Sequence, residues 1–320
     1  MQKYTARPII MSMNLSFTAR NLILFLCLFL YPNNLKNRFL TASGITHNFC
    51  SHSRLVYRQW SLAPNKNSED PPCQISGQIL DSSSCLGIGH LYGNNSPQDE
   101  YHYLDQMALE TGTDKSSRAH NYTEIYAEHF APLRNQSIKF LEIGIAAGES
   151  VRLWENYFPN ASLHFIDICR DGIQYYSPRS HYYFLDQADP QALQEFAHLS
   201  GGSFDIIIDD GGHFMHQQII SFQTLFPYLQ SGGLYIIEDL HTSYWTSHGG
   251  KGNTAAPKAG PGTTVEFLKN LVEDLNYSGA ASGYASWEKT PAEIMQQLNE
   301  LQKSIYSIQF YKSLCIIKKI

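Results

Sequence analysis

The chain has 320 residues, 43% of them hydrophobic, which is enough for a sizeable core in one large or two ordinary domains and excludes a disordered protein. A formal net charge of −6 without a long run of Lys or Arg argues against nucleic acid as a partner held through its phosphates. Six cysteines without CxxC spacing give no zinc or redox motif, so a reducing compartment, the cytoplasm, is expected.

In chain order, the first feature is NLILFLCLFLY at residues 21–31, preceded by Lys3, Arg7 and Arg20. It is too short to span a bilayer, although its length suits a signal-peptide core, and no clear cleavage site follows; no stable membrane span is expected. Residues 32–100 are rich in Asn, Ser, Pro and Gly without periodicity, so residues 1–102 read as a poorly structured extension and 103–320 as the folded domain. HNYTEIYAEHFAPLR places Tyr122, Tyr126 and Phe130 on one helical face, with Pro132 near its end.

Five short apolar runs follow, KFLEIGI, SLHFIDI, HYYFLD, FDIIID and GLYIIED. Helical segments lie between them: ESVRLWENYF, DGIQYY, DPQALQEFAHL and HQQIISFQTLFPYL. This alternation predicts parallel βαβ units in an open, doubly wound α/β sheet. A Gly/Pro/Ser/Thr-rich loop after residue 242 precedes a helix expected over Val265 to Leu275. The tail SIYSIQFYKSLCIIKK reads as two strands turning at Lys312 and Ser313, giving an antiparallel strand at the sheet edge.

The loop FLEIGIAAGES carries Glu142, Gly144, Gly148 and Ser150 between strand and helix, where glycines let a ligand approach the backbone. The GxGxxG spacing of dinucleotide sites is absent, and GxxxG after an acid better suits S-adenosylmethionine, which has a carboxylate and an amine in place of a pyrophosphate. Asp167 ends the second run, where it can accept ribose hydroxyls, and Asp186 with Gln187 ends the third, within reach of an adenine edge.

Runs four and five end in Asp209-Asp210-Gly211-Gly212-His213 and Glu238-Asp239-Leu240-His241. Strand ends about 5 Å apart bring such carboxylates together, and their mutual repulsion favours a hard divalent ion such as Mg2+. Glu238 and Asp239 share one ion only if the backbone leaves the β conformation between them. His213 is favoured over His241 as a general base beside that ion. Which of Asp209 and Asp210 faces the ion, and what His241 does, stay open.

Taken together, GTDKSS (112–117), HNYTEIYAEHF, LEIGIAAGES, DDGGHFMHQQIISFQTLFPYLQSGGLYIIEDLHTSYW and EFLKNLVEDLN resemble the metal-dependent macrolide sugar O-methyltransferases of class I, over roughly residues 105–320. The resemblance implies a mostly parallel, Rossmann-like sheet of seven strands with an antiparallel C-terminal edge strand. It also implies S-adenosylmethionine and Mg2+ as cofactors and a small-molecule acceptor with a sugar hydroxyl. Its metal ligands fall on Asp210, Glu238 and Asp239 and its general base on His213. Its cofactor contacts fall on Glu142 to Ser150, Asp167, Asp186 and Gln187, with Thr113, Tyr122 and Tyr126 in a lid, and its members associate as homo-oligomers through the segment before the glycine loop. Two competing readings keep the sheet. One is a metal-dependent hydrolase or an iron oxygenase using His213, His241 and Asp210; the other is a non-catalytic S-adenosylmethionine-binding interaction protein.

Overall fold

The computed structural model describes residues 97–252, 258–284 and 289–320, so the apolar run 21–31 and most of the expected extension lie outside the described residues. The first helix, α1 (Pro97–Thr111), begins six residues before the expected domain start at 103. It is bound into the fold there, because buried Glu100 accepts from the Tyr157 hydroxyl and pairs with Arg134. The helix expected around Tyr122 forms as α2 (Tyr122–Phe130).

All five apolar runs become strands: β1 (Lys139–Ile143), β2 (Ser162–Asp167), β3 (His181–Phe184), β4 (Phe204–Asp209) and β5 (Leu229–Ile237). The tail gives β6 (Ile305–Tyr311) and β7 (Leu314–Lys319), turning at Ser313 with φ 66°. The sheet order is β3-β2-β1-β4-β5-β7-β6, parallel through β5. The reversed strand β7 sits between β5 and the outermost strand β6.

Helices α3 (Glu149–Tyr157), α4 (Pro190–Ser200) and α5 (Met215–Leu225) follow β1, β3 and β4. Helix α4 has clear start and stop signals: the Asp189 carboxylate accepts from the Gln191 and Ala192 amides, Pro190 opens the first turn, and Gly201 ends it at φ 81°. Three expectations change. DGIQYY forms no helix, since Gly172 takes φ 106° and the Gln174 and Tyr175 amides both bond the Ala147 carbonyl. The helix expected over HQQIISFQTLFPYL stops at Leu225, before Pro227. The helix expected over Val265 to Leu275 runs instead as α6 (Thr264–Ser282), from a Thr263 cap to Gly283 at φ 73°. Two short helices, α7 (Ala292–Gln297) and α8 (Glu300–Ser304), precede β6.

Alternation along the central strands divides the core. Phe140, Ile206, Ile208, Leu234 and Ile236 face a layer containing Tyr126, Phe130, Trp154 and Phe158 from α1 to α3 and their ends. Leu141, Ile143, Ile207, Tyr235 and Ile237 face Phe196, Phe222 and Leu268 from α4 to α6. Both faces are covered, as a parallel sheet requires, and the carboxyl ends of β1, β4 and β5 lie side by side.

Candidate functional site

The pleat decides which acids meet. Glu142 is level with Ile208 and Ile236 on the α1–α3 face, and Asp210 and Glu238 are each one pleat beyond those isoleucines on that same side. The tips stay in register, with the Asp210 amide on the Ile143 carbonyl (2.9 Å) and the Glu238 amide on the Asp209 carbonyl (3.0 Å). Asp209 points to the other face, where it accepts from the Ser221 hydroxyl and the Gln187 amide nitrogen (3.0 Å). Asp210 therefore faces the acidic cluster and Asp209 braces α5. Asp239 would follow Asp209 to that far side, but it takes φ 56° and ψ 38°. The backbone leaves the β conformation there, as sharing between Glu238 and Asp239 requires.

At the centre lies a residue the sequence reading missed. Lys115, wholly buried in the segment between α1 and α2, puts its Nζ on Asp210 Oδ2, 3.1 Å from Glu238 Oε2 and 3.4 Å from Glu142 Oε1. Asp105 of α1 pins that segment by accepting from the Ser117 amide (2.7 Å) and from the Ser117 and Thr123 hydroxyls. Burial alone would depress the Lys115 pKa, but Asp210, Glu238 and Glu142 hold it well above the usual lysine range. Burial pushes the Glu142 carboxyl up to about 7 against the pull of Lys115, and burial with the Asp210 charge pushes Glu238 well above its usual range. One ammonium among three carboxylates leaves an excess of negative charge that a further cation or protons must offset. The one mark of Lys115 in the sequence was its place in GTDKSS, a segment that carries the family resemblance.

A second, more open group adjoins the first. One ligand atom each from Asp210, His213 and Asp239 lies within 4.8 Å of the others. His213 Nε2 is 3.5 Å from Asp239 Oδ2 and 3.8 Å from Asp210 Oδ1, while its Nδ1 is buried without a hydrogen bond. His241 differs, because its Nδ1 is bonded to the Ser313 hydroxyl and its ring packs 4.4 Å from that of Trp245. It belongs to neither convergent group found among the described residues, so the iron-type set His213, His241 and Asp210 does not assemble. Carboxylate oxygens beside one imidazole suit a hard divalent ion, so the residues present fit Mg2+.

The expected lid residues are enclosed. The Tyr122 hydroxyl donates to Asp239 Oδ1 (2.7 Å), the Tyr126 hydroxyl donates to Glu238 Oε1, and Thr113 is buried in the turn that delivers Lys115. The two tyrosines thus hold the acids in place. Gly144 and Gly148 take φ 99° and 103°, but the spaces a side chain would need are filled by the Asp210 backbone and by Tyr175. Their small size lets the loop pack against the β4 tip and against the segment after β2. The Ser150 hydroxyl turns back to Glu142 Oε2 (2.8 Å). Gln187 is buried, with its Oε1 accepting from the Gly212 amide (2.9 Å) and its Nε2 on Asp209. Asp167 is half-buried at the β2 tip, where the Ile145 and Cys169 amides hold its two oxygens at 2.9 and 3.1 Å. A carboxylate has lone pairs beyond those two bonds, so Asp167 fits a hydroxyl-bearing cofactor. Asp186 is also half-buried and accepts from the Ala188 amide (2.8 Å).

No family model matches the chain. It is 36% identical over 223 residues to the 8-demethyl-8-alpha-L-rhamnosyl tetracenomycin-C 2'-O-methyltransferase of Streptomyces olivaceus, covering 68% of this chain and 54% of that protein. It is 33% identical over 225 residues to the L-olivosyl-oleandolide 3-O-methyltransferase of Streptomyces antibioticus, covering 67% and 55%. The chain spans about half the length of these curated relatives. A similar solved structure is the methyltransferase of the mycinamycin biosynthetic pathway in complex with Mg and SAH, with a TM-score of 0.58 and 30% identity, covering 68% of this chain and 53% of that one.

Proposed function

We propose that this chain, which belongs to the macrolide sugar O-methyltransferase family and has the class I methyltransferase fold, transfers a methyl group from S-adenosylmethionine to a hydroxyl of a sugar on a glycosylated natural product, with Mg2+ as a second cofactor. The convergence of Asp210, Asp239 and His213 at the ends of β4 and β5 carries this reading. The names of the relatives, all O-methyltransferases and several with a sugar in the substrate, supply the acceptor class. No helix among the described residues is long and apolar enough to cross a membrane. The cytoplasm is the compartment we propose.

In this reading Asp210, Glu238 and Asp239 hold the ion, and Asp167 and Asp186 meet the ribose and adenine edge of the cofactor. Gln187 and Ser150 act behind them, through Gly212 and Glu142. When bound, S-adenosylmethionine would supply a methyl group on a cationic sulfonium that departs as a neutral sulfide, and Mg2+ would supply charge that acidifies a nearby hydroxyl. His213 takes the hydroxyl proton at Nε2 as the oxygen–carbon bond forms and the carbon–sulfur bond breaks. Its Nε2 is beyond ordinary hydrogen-bond distance from both aspartates, which leaves it free to receive that proton. The test is transfer of an isotopically labelled methyl group to rhamnosyl or olivosyl acceptors. Label is expected on a sugar oxygen, lost with a chelator and restored by Mg2+; equal transfer in the chelator contradicts the metal requirement.

A further inference from the structure

Lys115 has no part in that proton transfer, yet its ammonium lies between two of the carboxylates assigned to the ion. We propose that Lys115 is a resident cation that competes with the divalent ion for Asp210 and Glu238, so that loading the site moves its ammonium toward Glu142. The proposal rests on the metal-dependent reading above and concerns how that site is filled.

The oxygens divide unequally. Both Glu238 oxygens already accept a hydrogen bond, Oε1 from the Tyr126 hydroxyl and Oε2 from Lys115. Asp210 Oδ2 is taken by Lys115 and Asp239 Oδ1 by the Tyr122 hydroxyl. The oxygens turned to His213 are Asp210 Oδ1 and Asp239 Oδ2, so an ion that also uses Glu238 shares an oxygen with Tyr126 or with Lys115, and either position sets it a few ångströms from the repelling ammonium. Tyr126 is fixed, wholly buried with its ring 4.9 Å from that of Phe130 and 5.5 Å from that of Trp154. Lysine has a flexible four-carbon stem. The Lys115 backbone is held, since its carbonyl accepts from the Thr123 amide (3.1 Å) and Asp105 clamps the residues that follow. Only the side chain moves in this scheme. A receiving group is in place, because Glu142 Oε1 is buried without a hydrogen bond and only 3.4 Å from Nζ. Without an ion, the ammonium lets buried Glu142 and Glu238 and half-buried Asp210 share one space; with an ion, that role passes to the metal.

The experiment measures Mn2+ affinity by electron paramagnetic resonance in the wild-type protein, Lys115→Met and Lys115→Arg. Removing one positive charge a few ångströms from the ion should tighten binding about tenfold or more in Lys115→Met, whereas Lys115→Arg, which keeps the charge, gains nothing. Lys115→Met should also be less heat-stable than wild type without Mn2+ and recover with it; a lysine that is only structural predicts the loss without the gain in affinity. Measurable affinities that are equal, or weaker in Lys115→Met, overturn the role of Lys115 and leave the metal-dependent reading standing. Absence of Mn2+ binding in all three proteins overturns that reading as well. If Lys115→Met does not fold, the 15Nζ resonance of Lys115 in the wild-type protein serves instead. It should shift on saturation with Mg2+, and an unchanged signal overturns the proposal.

Discussion

Asp209 turns toward Ser221 and Gln187 while Asp210 turns toward Lys115 and His213, because consecutive strand residues face opposite sides of the sheet. The two should fail differently when changed. Asp209→Ala takes the acceptor from the buried Gln187 amide nitrogen, while the Ser221 hydroxyl can turn to the Gln217 carbonyl, and should lower unfolding free energy by about 1–3 kcal/mol in urea titrations, with Mn2+ affinity retained. Asp210→Asn should cost about tenfold or more in Mn2+ affinity. The reverse pattern would mean that the ion lies on the α5 side. His213→Ala should lower kcat by about 100-fold or more while S-adenosylhomocysteine binds as before, and full turnover in that variant would remove His213 from its role. The acids and His213 were legible because they stand at strand ends, where α/β sheets bind ligands. The resemblance alone favoured Asp210 over Asp209, and the physical reason came with the register of β1, β4 and β5. Lys115 was illegible because its partners are 27, 95 and 123 positions away in the chain, and no local period announces such a contact.

At the scale of elements, the 3-10 turn over Leu240–Tyr244 sends the chain from β5 along the rim of the acidic cluster. There Trp245 is 50% exposed, with its ring 4.4 Å from that of His241 and 5.8 Å from that of His248, which itself lies 5.3 Å from the ring of Phe214. This aromatic rim joins the end of β5 to the start of α5, where an acceptor would arrive. Trp245→Ala should raise the acceptor KM roughly 3- to 10-fold through lost ring contact, with S-adenosylhomocysteine affinity unchanged. An unaltered KM would mean that the acceptor enters elsewhere. On β2, burial holds the His164 imidazole down to about 3, beside the rings of His181 and Tyr183. An unfolded histidine titrates near 6.5, so below that pH the unfolded state binds the extra proton and the folded state does not. Stability should therefore fall as pH drops from about 6.5 toward 3, by up to about 1.4 kcal/mol per unit from this residue. His164→Gln should show a shallower acid slope in unfolding titrations; an unchanged slope assigns the loss to other groups. Element type was readable where periodicity was long, as in α4 and the five central strands. DGIQYY was not, because its backbone donors go to Ala147 in a different loop.

For the whole molecule, seven strands in the order β3-β2-β1-β4-β5-β7-β6 bring β1, β4 and β5 together at the centre, and three of the acidic tips belong to those strands. The α1–α3 layer closes one side of that centre and delivers Lys115, Tyr122 and Tyr126 to the acids. The alternation of runs in the sequence was enough to predict the sheet, since covered parallel strands need no long-range information to be recognised. The layer that arms the site was harder to read, because its roles depend on how α1 and α2 pack across β1 and β4. In the proposed function these strand ends hold S-adenosylmethionine beside a divalent ion. The decisive measurement is calorimetric titration of the folded, Mg2+-supplemented protein with S-adenosylhomocysteine. Saturable binding of one molecule per chain, weakened by Asp167→Ala, is expected. No binding under those conditions would contradict that function.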